Sequence, residues 1–192
     1  MWYFFRHGET VHNKFKISQG RYNSCLSLKG IEQAELYANK ILKFENDFSK
    51  YNFLSSPLFR AKQTLNIVME KLNLNPFEKM KEEELLIDID FGAHNNMPNS
   101  IVWKNYYDDN RILYCIHPNG ETFNDIYDRM EQFLEKYKNE KYLVFATHGC
   151  CFGILKHILS KGKKIDFTRK NLIQNQNSII KYNKEKNILE LI

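Results

Sequence analysis

Uninterrupted apolar residues occupy two short segments of the chain, residues 1–5 and residues 142–146. A continuous apolar run of this length is typical of a strand that is buried on both faces of a sheet. Residues 51–54 form a third apolar segment, and residues 178–182 and 188–192 have the composition of two final strands. The pattern therefore predicts strands at the start, in the middle and at the end of the chain.

Helical periodicity occupies the stretches between these strands. Apolar residues recur at helical spacing over four segments, which are residues 27–44, 56–72, 123–137 and 149–159. Ser56 is expected to cap the second of these helices, and Pro57 is expected to lie in its first turn.

Strands that alternate with helices indicate an α/β protein. We predict a three-layer sandwich in which helices flank a mostly parallel central sheet. We also predict one domain that spans residues 1–192, because no repeat or low-complexity linker divides the chain. Residues 91–118 show no clear period and are rich in Asn, Asp, Pro and Tyr. A long irregular stretch in a compact domain is usually functional, so we expect a lid or a specificity insertion there.

The composition places the chain among globular proteins. It has 192 residues, of which 43% are hydrophobic and 14% aromatic, and this suits a domain with a buried core. The net charge of +5 is mild. The longest basic stretch, residues 161–164, is more typical of a solvated loop than of a nucleic-acid patch. We therefore expect no nucleic-acid partner.

The cysteines and the length of the apolar runs bear on the compartment. The four cysteines, Cys25, Cys115, Cys150 and Cys151, show no C-x-x-C spacing, so they predict neither a zinc site nor a redox pair. Reduced thiols are typical of cytoplasmic proteins. No apolar run approaches the length of a membrane span, and the apolar start is too short for a signal peptide. We expect a cytoplasmic protein with no membrane partner and no metal site.

The first candidate for chemistry is Arg6-His7-Gly8, which follows the first predicted strand. In α/β proteins, sites lie at the carboxyl ends of strands. A neutral imidazole is a good nucleophile near its ordinary pKa of about 6.5, and the fork of an adjacent guanidinium matches phosphate oxygens. Gly8 leaves room for the backbone to approach a substrate. The alternative interpretation is a helix-capping turn that happens to hold a histidine.

Two further segments suggest the same kind of ligand. Thr147-His148-Gly149 repeats the arrangement of strand, histidine, glycine and helix, and the helix that starts at Gly149 offers free N–H groups to an anion. Arg60 falls near the start of a predicted helix, where a basic residue is unfavourable unless an anion is bound. The alternatives are a structural histidine and an arginine that extends into solvent. Together these residues predict one oxyanion site where the ends of two strands meet.

In their order along the chain, the motifs resemble those of the histidine phosphatase superfamily, which is also called the phosphoglycerate mutase-like family. The matching pieces are Arg6-His7-Gly8-Glu9-Thr10 with Asn13, Gln19-Gly20, Leu26-Ser27 through Gly30, Gln33 and Ala34, Ser55-Ser56-Pro57 through Arg60, Ala61, Gln63 and Thr64, Asp88-Ile89-Asp90-Phe91-Gly92, Gly120-Glu121, Thr147-His148-Gly149 and Asn177-Ser178. They span nearly the whole chain, and the ordered set is specific although each piece is short. The resemblance implies a phosphoglycerate mutase-like fold.

The resemblance also implies a role for each matched residue. His7 would become a phosphohistidine. The residues that would bind the phosphoryl group and stabilise its charge are Arg6, Arg60 and His148. The residues that would line the pocket mouth or contact substrate are Asn13, Gln19, Gly20 and Gly149. The family needs no metal and no other cofactor, because arginines and histidines supply the positive charge.

The chain departs from the family pattern at the carboxylic acid that would protonate the leaving oxygen and then activate water. The family often carries Glu where the register of this chain gives Asp88, which is one methylene shorter. Glu84 is the second candidate, because it belongs to three consecutive glutamates just upstream.

Two other positions keep two interpretations each. Residues 93–96 replace the aromatic-Glu-Gly segment of many family phosphatases, and within them His94 is either a substrate contact or a loop histidine. Glu121 is expected either to support His148 or Arg60, or to be an ordinary acid in the first turn of a helix.

Three functions are compatible with these residues. The leading one is a phosphomonoester hydrolase of the histidine acid phosphatase type that acts on a small phosphorylated metabolite. A phosphoglycerate mutase-type phosphotransferase is less favoured, because the chain is shorter than family mutases and has Gln19-Gly20 where they resemble Gly-Trp. The third is a phospho-ligand binding protein with weak catalysis, against which the intact arginine and histidine set argues. Both a monomer and a homodimer are compatible with the sequence.

Overall fold

A central sheet organises the computed structural model, which describes residues 1–104, 117–168, 170–171 and 178–192. In chain order the strands are β1 (Trp2–Arg6), β2 (Ile17–Ser18), β3 (Asn52–Ser55), β4 (Met80–Glu82), β5 (Met97–Pro98), β6 (Leu143–Thr147), β7 (Ile179–Asn183) and β8 (Ile188–Leu191). The central sheet has the order β4-β3-β6-β1-β7-β8, while β2 and β5 pair with each other elsewhere.

The sheet is parallel through its centre and antiparallel towards one edge. β1 and β3 lie on either side of β6 and run parallel to it, and β4 extends the parallel set beyond β3. β7 and β8 are added in antiparallel fashion on the side of β1. The predicted mostly parallel sheet is therefore confirmed, and every strand that the apolar pattern predicts is present.

Helices cover both faces of this sheet. In chain order they are α1 (Val11–Lys14), α2 (Leu28–Ile41), α3 (Phe59–Lys71), α4 (Pro76–Lys79), α5 (Asn99–Val102), α6 (Phe123–Lys136) and α7 (Gly149–Leu159). α2 and α3 pack on one face, whereas α6 and α7 pack on the other. The predicted three-layer sandwich is confirmed. No helix in the described ranges is both long and apolar enough to cross a membrane.

The alternation of side chains along β1 explains why both faces of the sheet are covered. Trp2 and Phe4 belong to the core beneath α6 and α7, whereas Tyr3 and Phe5 belong to the core beneath α2 and α3. All four side chains are buried. Because successive side chains of a strand point to opposite faces, a central strand needs apolar residues at every position.

Helix α3 begins later than the sequence predicts. The predicted cap at Ser56 and the predicted place of Pro57 in the first turn are both wrong, because the helix starts at Phe59 and its N-cap residue is Leu58. A proline disfavours helical backbone in the residue before it, which keeps Ser56 out of the helix. The Ser56 hydroxyl instead accepts a hydrogen bond from the Leu58 N–H at 3.3 Å.

The stretch predicted to be irregular, residues 91–118, is described in part. It contains a 3-10 turn at Gly92–His94, followed by β5 and α5. β5 pairs with β2, and the Asn99 N–H donates to the Lys16 carbonyl oxygen at 2.8 Å, so this part is anchored to the segment after α1. Residues 105–116, with Cys115, lie outside the described residues, as does Asn177. The lid and the single domain remain predictions.

Candidate active site

The two strand-end histidines lie side by side. β1 and β6 are neighbouring parallel strands, and Arg6 is opposite Thr147 in their register. The chain leaves both strands at the same edge of the sheet, where the His7 N–H donates to the Thr147 carbonyl oxygen at 2.9 Å. The ring centroids of His7 and His148 are 5.2 Å apart. The structure thus brings the two imidazoles into one site, as their places in the sequence predict.

His7 is a buried imidazole with one nitrogen available. Burial, together with the positive charges of Arg6 and Arg60, lowers the pKa of His7 well below its usual value, so the ring is neutral. Its Nδ1 lies 2.7 Å from the Gly8 carbonyl oxygen, and this nitrogen therefore carries the proton and donates to that oxygen. The lone pair of Nε2 is left for another partner, which is the state that a nucleophilic imidazole requires.

The turn that carries His7 is packed too closely for a further side chain. A Cβ atom on Gly8 would lie 2.3 Å from the Gly30 carbonyl oxygen, at the start of α2. The Gly8 N–H donates to Thr64 Oγ1 of α3 at 3.0 Å. Glycine at position 8 therefore allows two helices to hold this turn against the end of β1.

Arg60 is fully buried at the start of α3, and most of its donors are already in use. Nη1 donates to the Tyr22 carbonyl oxygen at 2.8 Å. Nη2 donates to the Gly20 carbonyl oxygen at 2.7 Å and to Asp88 Oδ2 at 2.8 Å. Burial lowers the pKa of Arg60 and the Asp88 carboxylate opposes this change; an arginine remains protonated in either case. Arg60 thus supplies a fixed positive charge and ties the segment of Gly20 to Asp88.

Asp88 connects Arg60 with His148. The carboxylate oxygen that accepts from Arg60 also lies 3.5 Å from His148 Nδ1. The Asp88 side chain is 13% exposed, so it contacts a buried cation, Arg60, and also reaches solvent. Glu84, the other candidate for the acid, is exposed and belongs to a short 3-10 turn, Glu84–Leu86. Of the two, the structure brings Asp88 beside His148 and Arg60.

His148 is fully buried. Its Nδ1 faces Asp88, and its Nε2 contacts a serine hydroxyl on the other side of the ring. Nε2 lies 2.7 Å from Ser56 Oγ. Burial and then the charge of Arg60 lower the pKa of His148 well below its usual value. His148 is also the N-cap residue of α7, which begins at Gly149. The first N–H groups of α7 have no partner within the helix, so they are available beside this histidine.

Several buried polar atoms in this region have no hydrogen-bond partner. Within the described part of the chain they include the Nε atoms of Arg6 and Arg60, Nδ1 of His148 and Oε1 of Gln19. An unpaired buried polar group costs about 1–3 kcal/mol, so such groups are rare and call for a ligand or another explanation. The two guanidinium nitrogens are donors, and so is the imidazole nitrogen whenever it carries the proton. Oxygen atoms of a bound anion are acceptors of the kind that these donors lack.

Gly20 and Gln19 lie in the segment that Arg60 holds. Gly20 has left-handed backbone with a φ of 54°, and a Cβ atom there would lie 1.8 Å from Asn95 Oδ1. The Gly20 carbonyl oxygen accepts a hydrogen bond from Arg60, so Gly20 is in direct contact with a residue of the site. Gln19 is buried next to it, and its side-chain oxygen Oε1 has no hydrogen-bond partner among the described residues.

Asn13 has a structural use that its predicted role does not include. Its Oδ1 accepts from the Thr10 N–H at 3.2 Å, and its own N–H donates to Thr10 Oγ1 at 3.1 Å. This reciprocal pair caps α1. A contact with substrate would therefore come from the amide nitrogen of Asn13, and it remains a prediction.

Arg129 of α6 supports the site, although the motifs do not identify it. The carbonyl oxygens that accept from its Nη1 are those of Leu85, at 2.8 Å, and Ile87, at 2.6 Å. Between them, the Leu86 carbonyl oxygen accepts from the Thr147 hydroxyl at 3.0 Å. Side chains thus hold the irregular segment that leads to Asp88. The sequence signal is weak, since Arg129 is a single charge beside the apolar stripe of a helix.

Glu121 supports a different part of the site from the one that the sequence predicts. The predicted contact with His148 or Arg60 is wrong. The groups around its Oε2 are the Asp90 N–H at 2.8 Å, Arg129 at 3.4 Å and Arg21 at 3.4 Å. Glu121 also precedes the N-cap residue of α6, so it is not a first-turn acid either. It links the loop after Asp88 to the helix that carries Arg129.

His94 pairs with a second histidine in its own part of the chain. Its Nδ1 lies 3.0 Å from Nδ1 of His117. Burial lowers the pKa of His117 to about 4, so that ring is neutral and one of the two nitrogens donates to the other. Of the two interpretations of His94, this contact favours the loop histidine.

Comparison with known proteins shows the family to which the chain belongs. The family model of the histidine phosphatase superfamily (branch 1) matches residues 2–192. PhoE of Bacillus subtilis, described as an uncharacterized phosphatase, is 32% identical in an alignment 168 positions long, and the match covers 85% of this chain and 80% of that protein. A 2,3-bisphosphoglycerate-dependent phosphoglycerate mutase of Methanococcus vannielii is 30% identical in an alignment 166 positions long, and the match covers 70% of this chain and 68% of the mutase.

Solved structures share the fold. The alpha-ribazole phosphatase of Shigella flexneri superposes with a TM-score of 0.71 at 23% identity, and the match covers 100% of this chain and 94% of that one. Fold and site together define an α/β protein with a buried site of histidines and arginines at the ends of parallel strands. The chain belongs to the histidine phosphatase superfamily, and the predicted phosphoglycerate mutase-like fold is confirmed.

Proposed function

We propose that the protein is a phosphomonoester hydrolase that transfers the phosphoryl group of its substrate first to His7 and then to water. The observation that carries this proposal is the set of buried nitrogens without partners in the described structure: Nε of Arg6, Nε of Arg60 and Nδ1 of His148. Phosphoryl oxygens accept several hydrogen bonds and form strong pairs with guanidinium groups. Such a set beside a neutral imidazole suits an oxyanion that is under attack by nitrogen.

In the first half-reaction, Nε2 of His7 attacks phosphorus. A nitrogen–phosphorus bond forms while the bond between phosphorus and the leaving oxygen breaks. The hydrogen bond from Nδ1 to the Gly8 carbonyl oxygen, at 2.7 Å, keeps the proton on the other nitrogen. The leaving oxygen takes a proton from the Asp88 carboxyl group, so the first product is an alcohol and the second is the phosphohistidine.

In the second half-reaction, a water oxygen attacks phosphorus and the nitrogen–phosphorus bond breaks. The water gives its proton to the Asp88 carboxylate, and this restores both Asp88 and His7 and releases phosphate. Asp88 suits this exchange because its side chain is 13% exposed, whereas those of Arg60 and His148 are 0% exposed. It is the acidic group of the cluster that meets both the buried cations and water.

The other groups of the site stabilise charge or shape the pocket in this proposal. Arg6, Arg60 and His148 bind the phosphoryl oxygens, and their charge and N–H groups act where negative charge develops. Fixed cations replace a metal ion, so the reaction needs no cofactor. The residues that we assign to substrate contact are Asn13, Gln19, Gly20 and Gly149.

We infer that the substrate is a small phosphorylated metabolite and that the protein works in the cytoplasm, as a monomer or a homodimer. The site lies within one chain, and its donors suit the phosphate rather than any particular leaving group. Cys25, Cys150 and Cys151 carry free thiols, which supports a reducing compartment.

A phosphoglycerate mutase-type phosphotransferase is the second candidate. It is supported by the 30% identity to a protein that is named as such a mutase. A mutase returns the phosphoryl group to a second oxygen of its bound substrate and must keep water out while the phosphoenzyme waits. The exposure of Asp88 favours hydrolysis, because it leaves a path for water.

The test is a phosphate-release assay with p-nitrophenyl phosphate and a panel of phosphorylated metabolites, performed on the wild type and on His7→Ala. His94→Gln is a matched control, because it removes a histidine that lies outside the cluster. Each assay is repeated with EDTA, and rapid acid-free quenching followed by intact-mass measurement tests for a phosphoryl group on the protein.

We expect phosphate release that survives EDTA and His94→Gln and is lost in His7→Ala. Loss of activity with EDTA would contradict the metal-independent mechanism. Isomerisation of phosphoglycerate in place of phosphate release would establish the mutase. Tight phosphoester binding without turnover that depends on His7 would establish the third possibility, a phospho-ligand binding protein with weak catalysis.

A further inference from the structure

A buried hydroxyl group lies against His148 on the side away from Asp88. Ser56 follows β3, and its Oγ is 2.7 Å from Nε2 of His148. Both residues are 0% exposed, so this contact is shielded from solvent. The position of Ser56 is fixed by its backbone, because its N–H donates to the Ala146 carbonyl oxygen of β6 at 3.1 Å. The serine and the histidine are therefore held on neighbouring strand ends.

The hydrogen bonds of Ser56 determine which atom of this pair carries the proton. The Leu58 N–H donates to Ser56 Oγ at 3.3 Å, so the hydroxyl oxygen already accepts one bond. The hydroxyl also has one proton to donate, and among the described residues the acceptor in reach is Nε2 of His148. If Nε2 carried a proton instead, the buried hydroxyl would have no acceptor, at a cost that buried polar groups rarely bear.

The remaining nitrogen of His148 then carries the proton. Because burial and neighbouring positive charges lower the pKa of His148, the ring is neutral and has one N–H group. That group is Nδ1–H, which is 3.5 Å from Asp88 Oδ2 and has no hydrogen-bond partner among the described residues. It belongs to the same set of unpaired donors as Nε of Arg60.

We propose that Ser56 is a positioning residue that fixes His148 in the tautomer protonated on Nδ1, so that a neutral imidazole donates its N–H to the phosphoryl group. The role of this N–H in turnover rests on the proposed function. The tautomer of His148 is independent of that function. In both half-reactions, His148 then acts as a hydrogen-bond donor and neither gains nor loses a proton.

The first experiment measures the tautomer directly. In protein labelled with 15N, protonated and unprotonated imidazole nitrogens resonate well apart, and the signals of His148 are assigned by their loss in His148→Gln. We expect the wild type near neutral pH to show a protonated Nδ1 and an unprotonated Nε2. In Ser56→Ala we expect a mixture of tautomers or a shift to protonated Nε2. A protonated Nε2 in the wild type, or an unchanged pattern in Ser56→Ala, would overturn the proposal.

The second experiment measures the consequence for turnover. Ser55→Ala is the matched control, because Ser55 is equally buried and its hydroxyl donates to the Ser56 carbonyl oxygen at 2.8 Å rather than to His148. We expect kcat/KM of Ser56→Ala to fall roughly tenfold or more and that of Ser55→Ala to change little. Equal losses in the two variants would indicate a structural effect and refute a special role of Ser56.

The two experiments also separate this inference from the proposed function. If the wild type hydrolyses no phosphoester, the kinetic comparison has no signal and the proposed function fails, while the 15N pattern still decides whether Ser56 sets the tautomer. If the wild type is active but His148 has the opposite tautomer, the proposed function stands and the role of Ser56 is refuted.

Discussion

The turns after β1 and β6 have the same local sequence pattern, but the histidine of each turn uses a different ring nitrogen for its hydrogen bond. Each consists of a strand end, a histidine and a glycine, and in each the pKa of the buried imidazole is lowered. In His7, Nδ1 is bound to the Gly8 carbonyl oxygen, which leaves Nε2 available. In His148, Nε2 is bound to Ser56, which leaves Nδ1 available.

This difference shows that local sequence places a histidine, while its neighbours decide which nitrogen acts. The partner of His7 is the next residue of the chain, whereas the partner of His148 is 92 residues away. A nucleophile needs a lone pair, and a group that stabilises phosphoryl oxygens needs an N–H. The two turns thus supply the two different properties that the proposed reaction requires.

The largest expected effect separates the two histidines by substituting each with glutamine. His7→Gln removes the attacking nitrogen, so we expect turnover to fall by at least about 10⁴-fold and no phosphoenzyme to form. His148→Gln removes one donor to the transition-state oxygens, so we expect a fall of about 10²–10³-fold. The measurement is steady-state turnover, combined with quenching of protein incubated with labelled substrate.

The phosphoenzyme is the decisive readout for this pair. Label should still accumulate on His148→Gln, because His7 is intact there. A phosphoenzyme that is absent in His148→Gln and present in His7→Gln would reverse the assignment of the two turns.

A second large effect concerns Asp88, the acid beside His148 and Arg60. For Asp88→Asn we expect turnover of alkyl phosphates to fall by about 10²–10⁴-fold, because their leaving oxygen needs a proton. p-Nitrophenyl phosphate should lose less activity in its first half-reaction, since p-nitrophenolate leaves without one. Glu84→Gln should leave both activities unchanged, because Glu84 is exposed on a separate 3-10 turn. A larger loss in Glu84→Gln than in Asp88→Asn would identify Glu84 as the acid.

Most of the regular fold could be predicted from the sequence, because long elements leave a periodic or continuous apolar pattern. β1 and β6 are apolar at successive positions since both faces of the sheet are covered. The pair β2 and β5 was not predicted, because each strand has two residues and no period can be seen in so short a segment. The contact between Asn99 and Lys16 that accompanies this pair joins distant parts of the chain.

The site could be predicted as far as its residues come from strand ends and helix starts. His7 and His148 meet because parallel strands end at the same edge of the sheet, and Arg60 reaches them from the start of α3. The hydrogen bond of Ser56 and the support from Arg129 could not be predicted, because they depend on which side chains of separate elements meet. The sequence around Ser56 predicts a helix cap, whereas tertiary packing gives its hydroxyl another partner, His148.

Both histidines have a lowered pKa, and the pH dependence of stability should report this shared property. The pKa of each is lowered on folding, so below about pH 6.5 the unfolded chain binds protons that the folded protein does not. The free energy of unfolding should therefore fall as the pH falls from about 7.5 to about 5, by up to about 1.4 kcal/mol per pH unit for each histidine. Urea unfolding at several pH values measures this slope.

Glutamine substitutions test the origin of the slope. His7→Gln and His148→Gln should each make the pH dependence shallower than in the wild type, because each removes a group that the unfolded chain protonates. If the slope stays the same in either variant, that histidine is already protonated in the folded protein, and its neutral state in the site is refuted.

The smallest expected effect compares two hydrogen bonds, one that anchors the turn of His7 and one that anchors the segment beside His148. Thr64→Val removes the acceptor of the Gly8 N–H, and Thr147→Val removes a donor to the Leu86 carbonyl oxygen. We expect Thr64→Val to lower the free energy of unfolding by about 1–3 kcal/mol, and Thr147→Val to lower it by less, because an unpaired buried N–H costs more than a carbonyl oxygen that loses one partner. Thr64→Ser, which keeps the hydroxyl, should recover most of the loss in urea unfolding. If Thr147→Val is the more damaging of the two, the segment that leads to Asp88, rather than the turn of His7, is the part of the site whose position depends most on a single side chain.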